Sequence, residues 1–362
     1  MRPSVYIPVA VLTACIIAFQ IIVSALNREF YLTQLTMSAY YSLVILGLTV
    51  LMGYAGQISL GHAAFFAMGG YTTAVLTTYN LAGAAGNPLV KLVVGLGLDT
   101  VSTNAYGAQT QHLSPWVSLV VAVCLTAAVA FLIGIPILKL KGHYLAMATL
   151  GFGIIVYRIV LGTRMFGEAD GISDLPAFRL AGGLAVGGDP GLRVQNYYIA
   201  AFLLVAGVIL LTNLIDSRPG RALRSIHGSE EAANAMGVNT ARYKLSVFVL
   251  SAVFACIAGV FLTHFNGGIG PSEAEVMKSV SYVAIVAVGG MANLWGALVM
   301  GVVLNYLSLR GYFGSYDEFV FGCILIVIML FMPEGLLIKE NFRILADTAV
   351  RIVNKCRAGK QE

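Results

Sequence analysis

The sequence predicts an all-α protein, built as a bundle of membrane-spanning helices. Hydrophobic residues make up 58% of the 362 residues and charged residues only 11%, and the mean hydropathy is +0.84. The core of a water-soluble protein does not need so much apolar surface. Apolar runs of about 20 residues, the length that crosses the hydrocarbon layer as a helix, recur along the whole chain. The segments of about 10 residues with alternating polarity that are typical of a membrane β-barrel are not found.

Taken in order along the chain, the apolar runs predict about ten crossings. Their expected bounds are 5–26, 31–52, 57–79, 115–135, 143–161, 196–215, 245–265, 276–290, 294–310 and 317–332. The two runs on either side of Gly289 and Gly290 are short enough to be halves of one broken helix, although the pattern favours a tight turn between two helices. Residues 89–98 are too few to span and include Lys91, which predicts a re-entrant or interfacial segment.

The distribution of Lys and Arg predicts the orientation in the membrane. Basic residues gather in the connection at 216–244 and in the C-terminal tail at 339–362. With an even number of crossings, both segments and both termini are cytoplasmic, residues 1–338 form one transmembrane domain, and the connection at 162–195 lies outside. The net charge of +5 is then explained by the basic residues that set the orientation, and a nucleic-acid partner is not needed to explain it. We expect the basic tail to lie along the lipid surface of the cytoplasmic leaflet.

Sequence motifs for catalysis, nucleotide binding and metal binding are missing. The chain has no GxxxxGK[ST] phosphate loop, no HExxH metal pair and no GxSxG nucleophile elbow, and its five Cys residues show no metal-binding spacing. We therefore expect no catalytic residue, no metal and no cofactor, so that any ATP hydrolysis takes place in another chain. Acidic residues are nearly missing from the helix centres, which argues against coupling to protons or sodium.

A polar, glycine-rich segment at 53–62 interrupts the apolar pattern. It brings Tyr54, Gln57, Ser59 and His62 into a hydrophobic region, which is costly unless these side chains face protein or water. Two interpretations stay open: the side chains line a translocation pathway, or they bond to neighbouring helices. For His62 taken alone, the structural role is favoured. For the group we predict a position near the translocation pathway.

A short helix is predicted inside the cytoplasmic connection at 216–244. Ser229 can cap the N-terminus of a helix, and Glu230 and Glu231 then lie in its first turn, where the helix dipole favours acidic groups. Gly237 can end the helix in a left-handed conformation. An ordinary amphipathic surface helix is the alternative. Capping alone does not explain why a membrane protein keeps a folded element here, so we expect a docking site.

Several of these motifs resemble a known transporter family. Glu231, Ala232, Ala233 and Gly237 are similar to the EAA signature of ABC-importer permeases, a short cytoplasmic helix that fits a cleft in the ATPase subunit. Longer stretches resemble the LivM-type permeases of branched-chain amino acid importers, over about residues 40–337. These stretches are 53–67, 143–150, 220–224, 236–239 and 288–291.

The resemblance implies a helical bundle of the ABC-importer permease type in a bacterial inner membrane. It implies three kinds of protein partner besides lipid and substrate: a second related permease, two cytoplasmic ATPase subunits that bind the ATP, and an extracytoplasmic binding protein. Urea, short amides or other amino acids stay open as substrates. Two other classes also stay open: an ion-coupled secondary transporter or channel, and an intramembrane enzyme, for which no nucleophile and base pair can be named.

Overall fold

The computed structural model describes residues 6–79, 99–103, 109–140, 142–180, 183–312 and 314–331. Twelve α-helices form within these ranges, which confirms the all-α prediction. Their bounds are α1 Ile7–Ala25, α2 Phe30–Thr49, α3 His62–Thr78, α4 Pro115–Ile137, α5 His143–Gly162, α6 Arg193–Asp216, α7 Arg218–Gly228, α8 Glu230–Ala235, α9 Thr240–Asn266, α10 Val276–Gly289, α11 Leu294–Leu309 and α12 Asp317–Phe331. α2 continues without a break into a π-helical turn at Val50–Tyr54.

Six of the described helices are long and apolar enough to cross a membrane: α1, α2 with its π turn, α4, α5, α6 and α9. The helices α3, α10, α11 and α12 are apolar but have 17, 14, 16 and 15 residues. They are shorter than the about 20 residues of a full crossing. A helical membrane bundle is therefore confirmed, whereas the number of ten crossings stays a prediction.

Short antiparallel strand pairs join the connections between helices. The pairs are β1 Asp99–Thr103 with β2 Gln109–Leu113, β3 Ile172–Ser173 with β6 Gly268–Ile269, and β4 Phe178–Arg179 with β5 Ala185–Val186. The β3–β6 pair ties the connection before α6 to the segment after α9. Both therefore lie at one end of the bundle, and α7 and α8 lie at the other. The predicted segment 89–98 and the tail 339–362 fall outside the described residues.

The centre of the bundle is formed by α2, α3 and α9, whose residues are mostly buried. Glycines allow α3 and α9 to approach closely. A Cβ atom at Gly69 would lie 2.3 Å from the Cys256 carbonyl oxygen, and one at Gly259 would lie 2.1 Å from the Phe66 carbonyl oxygen. Small residues at such crossings bring backbones together where lipid gives no hydrophobic driving force. The outer helices α1, α4 and α5 expose many apolar side chains, as helices that face lipid do.

The interruption at Gly289 and Gly290 is a tight turn between two helices, as favoured from the sequence. α10 ends at Gly289, and Gly290 has a φ of +99°, which suits glycine. The Asn293 side chain then accepts a hydrogen bond from the Gly296 N–H at 3.1 Å and caps α11. A Cβ atom at Gly289 would lie 2.5 Å from the Ala297 Cα atom, so the two helices touch directly after the turn.

Candidate functional site

The helix α7, in the connection at 216–244, packs against the end of α2. Its side chains Leu223 and Ile226 are buried against the bundle. The Arg224 guanidinium carbon lies 5.5 Å from the centre of the Tyr54 ring, in the range of a cation–π contact. Gly56, with a φ of +67°, lets the end of α2 approach α7 closely. A displacement of α7 would therefore be passed directly to α2.

The next helix, α8, has the two ends that the sequence predicts. The Ser229 side chain accepts a hydrogen bond from the Ala232 N–H at 3.3 Å and caps the N-terminus. Gly237 has a φ of +83°, and its N–H donates to the Asn234 carbonyl oxygen at 2.9 Å. The following N–H in the chain donates to the Ala233 carbonyl oxygen at 3.0 Å. These two bonds form a Schellman motif, which fixes the exit of the chain from α8.

Polar contacts anchor α8 to the start of α9. The Lys244 ammonium donates to Glu230 Oε2 at 2.5 Å, and the Lys244 side chain is only 9% exposed. The Thr240 hydroxyl donates to Asn234 Oδ1 at 3.0 Å. Ala233 is buried between these contacts. Of the four EAA residues, Ala233 therefore faces the protein and helps to hold the helix.

The other face of α8 is exposed to solution. Glu231 and Ala232 are exposed, and the Met236 side chain at the end of the helix is 85% exposed. A Cβ atom at Gly237 would have no described atom within 4 Å. The chain thus presents a firmly held helix with an open face and one adaptable apolar side chain, which is the chemistry of a docking surface. The coupling role of Glu231, Ala232, Ala233 and Gly237 stays a prediction.

The polar segment at 53–62 lies inside the bundle. Gln57, Ser59 and His62 are at most 2% exposed. The His62 imidazole is 3.0 Å from Ser59 Oγ and 2.7 Å from Ser251 Oγ on α9, so it bonds helices to each other. Gln57 differs, because neither its amide nitrogen nor its amide oxygen has a partner among the described residues. A buried, unpaired amide needs a water or a ligand. Gln57 therefore carries the pathway interpretation better than His62.

Tyr54, the remaining member of this group, contacts both the turn between α10 and α11 and the helix α7. Its hydroxyl donates to the Ala292 carbonyl oxygen at 2.9 Å, within the turn between α10 and α11. Tyr54 thus contacts both that turn and Arg224 on α7. This position connects α7 to the short helices of the C-terminal half. A contact of Tyr54 with substrate stays a prediction, as it does for Gln57, Ser59 and His62.

We expect Gln57→Leu to lower transport by about tenfold or more while the protein still inserts and assembles, because the change removes two hydrogen-bonding atoms without a large change in volume. We expect Ser59→Leu to lower transport as well. Uptake in reconstituted vesicles measures both effects. Gln20→Leu on the outer helix α1 is the matched control and should leave uptake unchanged. Normal uptake by both Gln57→Leu and Ser59→Leu would show that the segment at 53–62 does not line the pathway.

Reasoning from sequence missed a charged cluster around the 3-10 turn Pro271–Ala274. Glu273 Oε1 accepts hydrogen bonds from the Tyr41 hydroxyl at 2.9 Å and from the Lys278 ammonium at 3.3 Å. The Lys278 nitrogen also lies 4.8 Å from the centre of the Tyr41 ring. Tyr41 lies near the middle of the Phe30–Tyr54 span. The Glu273 carboxylate therefore reaches the level of the middle of α2, although Glu273 itself belongs to a turn and not to a helix.

The signal for this cluster was present in the sequence. Glu273, Glu275 and Lys278 follow Pro271 closely, between the two apolar runs that form α9 and α10. The predicted crossing at 276–290 includes Lys278, whereas Glu273 and Glu275 lie in the connection before it. The hydrogen bond from the Tyr41 hydroxyl to Glu273, a residue 232 positions away, shows that the turn folds back into the bundle.

Comparison with known proteins places the chain in a family. The family described as branched-chain amino acid transport system, permease component, matches residues 30–329. The permease protein LivM of the high-affinity branched-chain amino acid transport system of Salmonella typhimurium is 32% identical over an alignment of 323 residues, and the match covers 83% of this chain and 68% of the relative. LivM of Escherichia coli is also 32% identical, over 83% of this chain and 68% of the relative.

A second kind of relative matches at lower identity. The permease protein LivH of the same Escherichia coli transport system is 24% identical over 83% of this chain and 92% of the relative. No solved structure matches the chain significantly. The family match covers far more than half of the 362 residues. The chain therefore belongs to the family of permease components of the branched-chain amino acid transport system.

Proposed function

We propose that this chain is the permease subunit of an ATP-driven importer that moves branched-chain, hydrophobic amino acids across a bacterial inner membrane. Family membership makes it a transport permease and a multi-pass membrane protein. The observation that carries the ATP-driven part is α8. It is capped at both ends, anchored by Glu230 and Lys244, and exposed on its other face, in a chain without a phosphate loop.

In the proposed mechanism, α7 and α8 carry movement from a separate ATPase into the bundle. α7 contacts the end of α2 through Arg224 and Tyr54, and α8 is tied to the start of α9 through Glu230 and Lys244. Since α2 and α9 are central helices, a force on the exposed face of α8 reaches the middle of the bundle along two routes. Such a rigid-body shift can alternately open the pathway to either side.

The proposed assembly has two permeases, two cytoplasmic ATPase subunits and an extracytoplasmic binding protein. ATP is bound by the ATPase subunits and this chain holds no cofactor of its own. The similarity to both LivM and LivH supports a second, related permease as the partner. Both termini and the 216–244 connection are proposed to be cytoplasmic. The binding protein would then meet the end of the bundle that carries the β3–β6 and β4–β5 pairs.

Branched-chain amino acids are proposed as substrate because the LivM and LivH relatives carry this substrate in their names. Urea, short amides and other amino acids are the alternatives, and competition of each against uptake of radiolabelled L-leucine separates them. A second candidate function is ion-coupled transport, which the Glu273 and Lys278 pair favours because a charged pair at this depth can also take part in proton coupling.

Purification of the tagged chain from its native membrane, followed by mass spectrometry, tests the proposed assembly. We expect one related permease and ATPase subunits that contain a phosphate loop to co-purify in fixed proportion. The variant Met236→Asp, which places a charge on the open face of α8, should reduce the amount of attached ATPase and leave the second permease bound. A chain that purifies without any ATPase subunit, in mild detergent and at full yield, would contradict the assembly.

A further inference from the structure

We propose that the cavity beside the Glu273 and Lys278 pair is a site for the zwitterionic backbone of a free amino acid inside the permease. This inference rests on the proposed function, because it names the part of the substrate that this chain itself recognises. The cavity has a volume of about 200 Å³ and lies between α2, α10, α11 and α12. Its lining includes Tyr41, Ser272, Glu275, Met277, Lys278, Ser281, Tyr282, Asn305, Ser308 and Phe321.

The depth of this cavity determines what it can face. Tyr41 on its wall lies near the middle of the apolar Phe30–Tyr54 span, and Glu275 and Lys278 are charged. Ionisable side chains at such depth face protein or a water-filled cavity, because exposure to lipid is too costly. At about 30 Å³ for each water of the liquid, the cavity has room for several waters or for one small polar molecule. Its open side therefore faces an aqueous pathway or a neighbouring subunit.

The polar atoms around the cavity are not fully used by the protein. The Lys278 ammonium can donate three hydrogen bonds. Among the described residues it donates two, to Glu273 Oε1 and to the Tyr41 hydroxyl. The Tyr282 residue is 2% exposed, and its hydroxyl has no partner among the described residues. Within the same ranges, Glu273 Oε2 is also buried and unpaired. Buried groups of this kind indicate a missing water or ligand.

Positive and negative groups are both present, which selects the class of ligand. A carboxylate can accept hydrogen bonds from the third donor of Lys278 and from the Tyr282 hydroxyl, whereas the Ser281 hydroxyl already donates to the Met277 carbonyl oxygen. An ammonium group can donate to the exposed carboxylate of Glu275. A carboxylic acid without the ammonium would bring no cation to Glu275, and an amine without the carboxylate would bring no acceptor to the third donor of Lys278 or to the Tyr282 hydroxyl. The apolar side chains Met277 and Phe321 complete the lining, as a hydrophobic amino acid requires.

Protection of an introduced thiol tests the site in the assembled transporter. The five native cysteines are first replaced by serine, and Ser281→Cys places one thiol in the cavity wall. We expect L-leucine to slow its reaction with a small methanethiosulfonate reagent several-fold, whereas 4-methylpentanoate, without the ammonium, and 3-methylbutylamine, without the carboxylate, should not. Val280→Cys, exposed but not part of the lining, is the matched control and should react at the same rate throughout.

Transport kinetics separate a ligand site from a purely structural ion pair. Glu275→Gln should raise the KM for L-leucine uptake by about tenfold and leave the amount of bound ATPase unchanged. The exchange Glu273→Lys with Lys278→Glu preserves an ion pair but not its arrangement, so uptake should stay impaired in a complex that assembles.

Three results would overturn the site: equal labelling of Ser281→Cys with and without leucine in a complex that imports leucine, an unchanged KM in Glu275→Gln, or uptake restored by the charge exchange. If the unsubstituted complex binds its ATPase but imports no leucine, the proposed substrate is contradicted instead. These outcomes are distinct, so failure of the site and failure of the proposed function can be told apart.

Discussion

Gly237→Asp is expected to abolish ATP-driven uptake while the protein still inserts into the membrane. Gly237 has a φ of +83°, a conformation that costs a residue with a side chain about 1 to 2 kcal/mol. The new carboxylate would also lie at the negative end of the α8 dipole. It would occupy the open space beside Met236, on the face that we propose as the ATPase contact. Uptake of L-leucine and the amount of co-purified ATPase measure the effect.

A glycine in the same connection provides the matched control. Gly228 ends α7, has open space where a Cβ would be, and lacks a positive φ. Gly228→Asp should therefore retain most of the uptake. Glu231→Lys, which reverses a charge on the open face of α8, should lose uptake as Gly237→Asp does. Undiminished uptake and ATPase attachment in both Gly237→Asp and Glu231→Lys would leave α8 as an ordinary surface helix.

Gly53→Val is expected to prevent assembly of the bundle. A Cβ atom at Gly53 would lie 1.5 Å from the Met291 carbonyl oxygen, which is backbone and cannot rotate away. The π turn would have to separate from the turn between α10 and α11, which also breaks the bond from Tyr54 to Ala292. Overpacking of this kind costs about 3 kcal/mol or more. The yield of monodisperse protein in mild detergent, and the temperature at which it aggregates, measure the loss.

The control for Gly53→Val is Gly151→Val on α5. Gly151 also lies in an apolar helix, but a Cβ atom there would meet nothing within 4 Å among the described residues. Valine at this position should change the yield little. Similar yields for the two variants would mean that the close approach at Gly53 does not hold the bundle together.

Features that depend on neighbouring residues could be predicted from the sequence. The caps of α8 are one example, because Ser229 and Gly237 act on backbone groups only a few residues away. The apolar runs also predict the helices, since each run has to be buried in lipid or protein over its whole length. The observed helix bounds therefore differ from the predicted ones by only a few residues at most ends.

Features that depend on distant parts of the chain could not be predicted. Glu273 reaches Tyr41 only because the turn after α9 folds back between helices, and no local pattern reports that path. The same limit applies to Gln57 and His62, which lie five residues apart in one polar segment. The structure gives His62 two partners and leaves Gln57 without one in the described ranges, although both are buried.

The central claim is that transport by this chain is driven by ATP hydrolysis in a separate subunit that contacts α8. The most direct measurement is uptake of radiolabelled L-leucine into vesicles that contain the purified complex, with the binding protein outside and ATP inside. We predict uptake with ATP, no uptake with a non-hydrolysable analogue, and no effect when ionophores collapse proton and sodium gradients. Uptake that persists without ATP and disappears with the ion gradients would contradict the account.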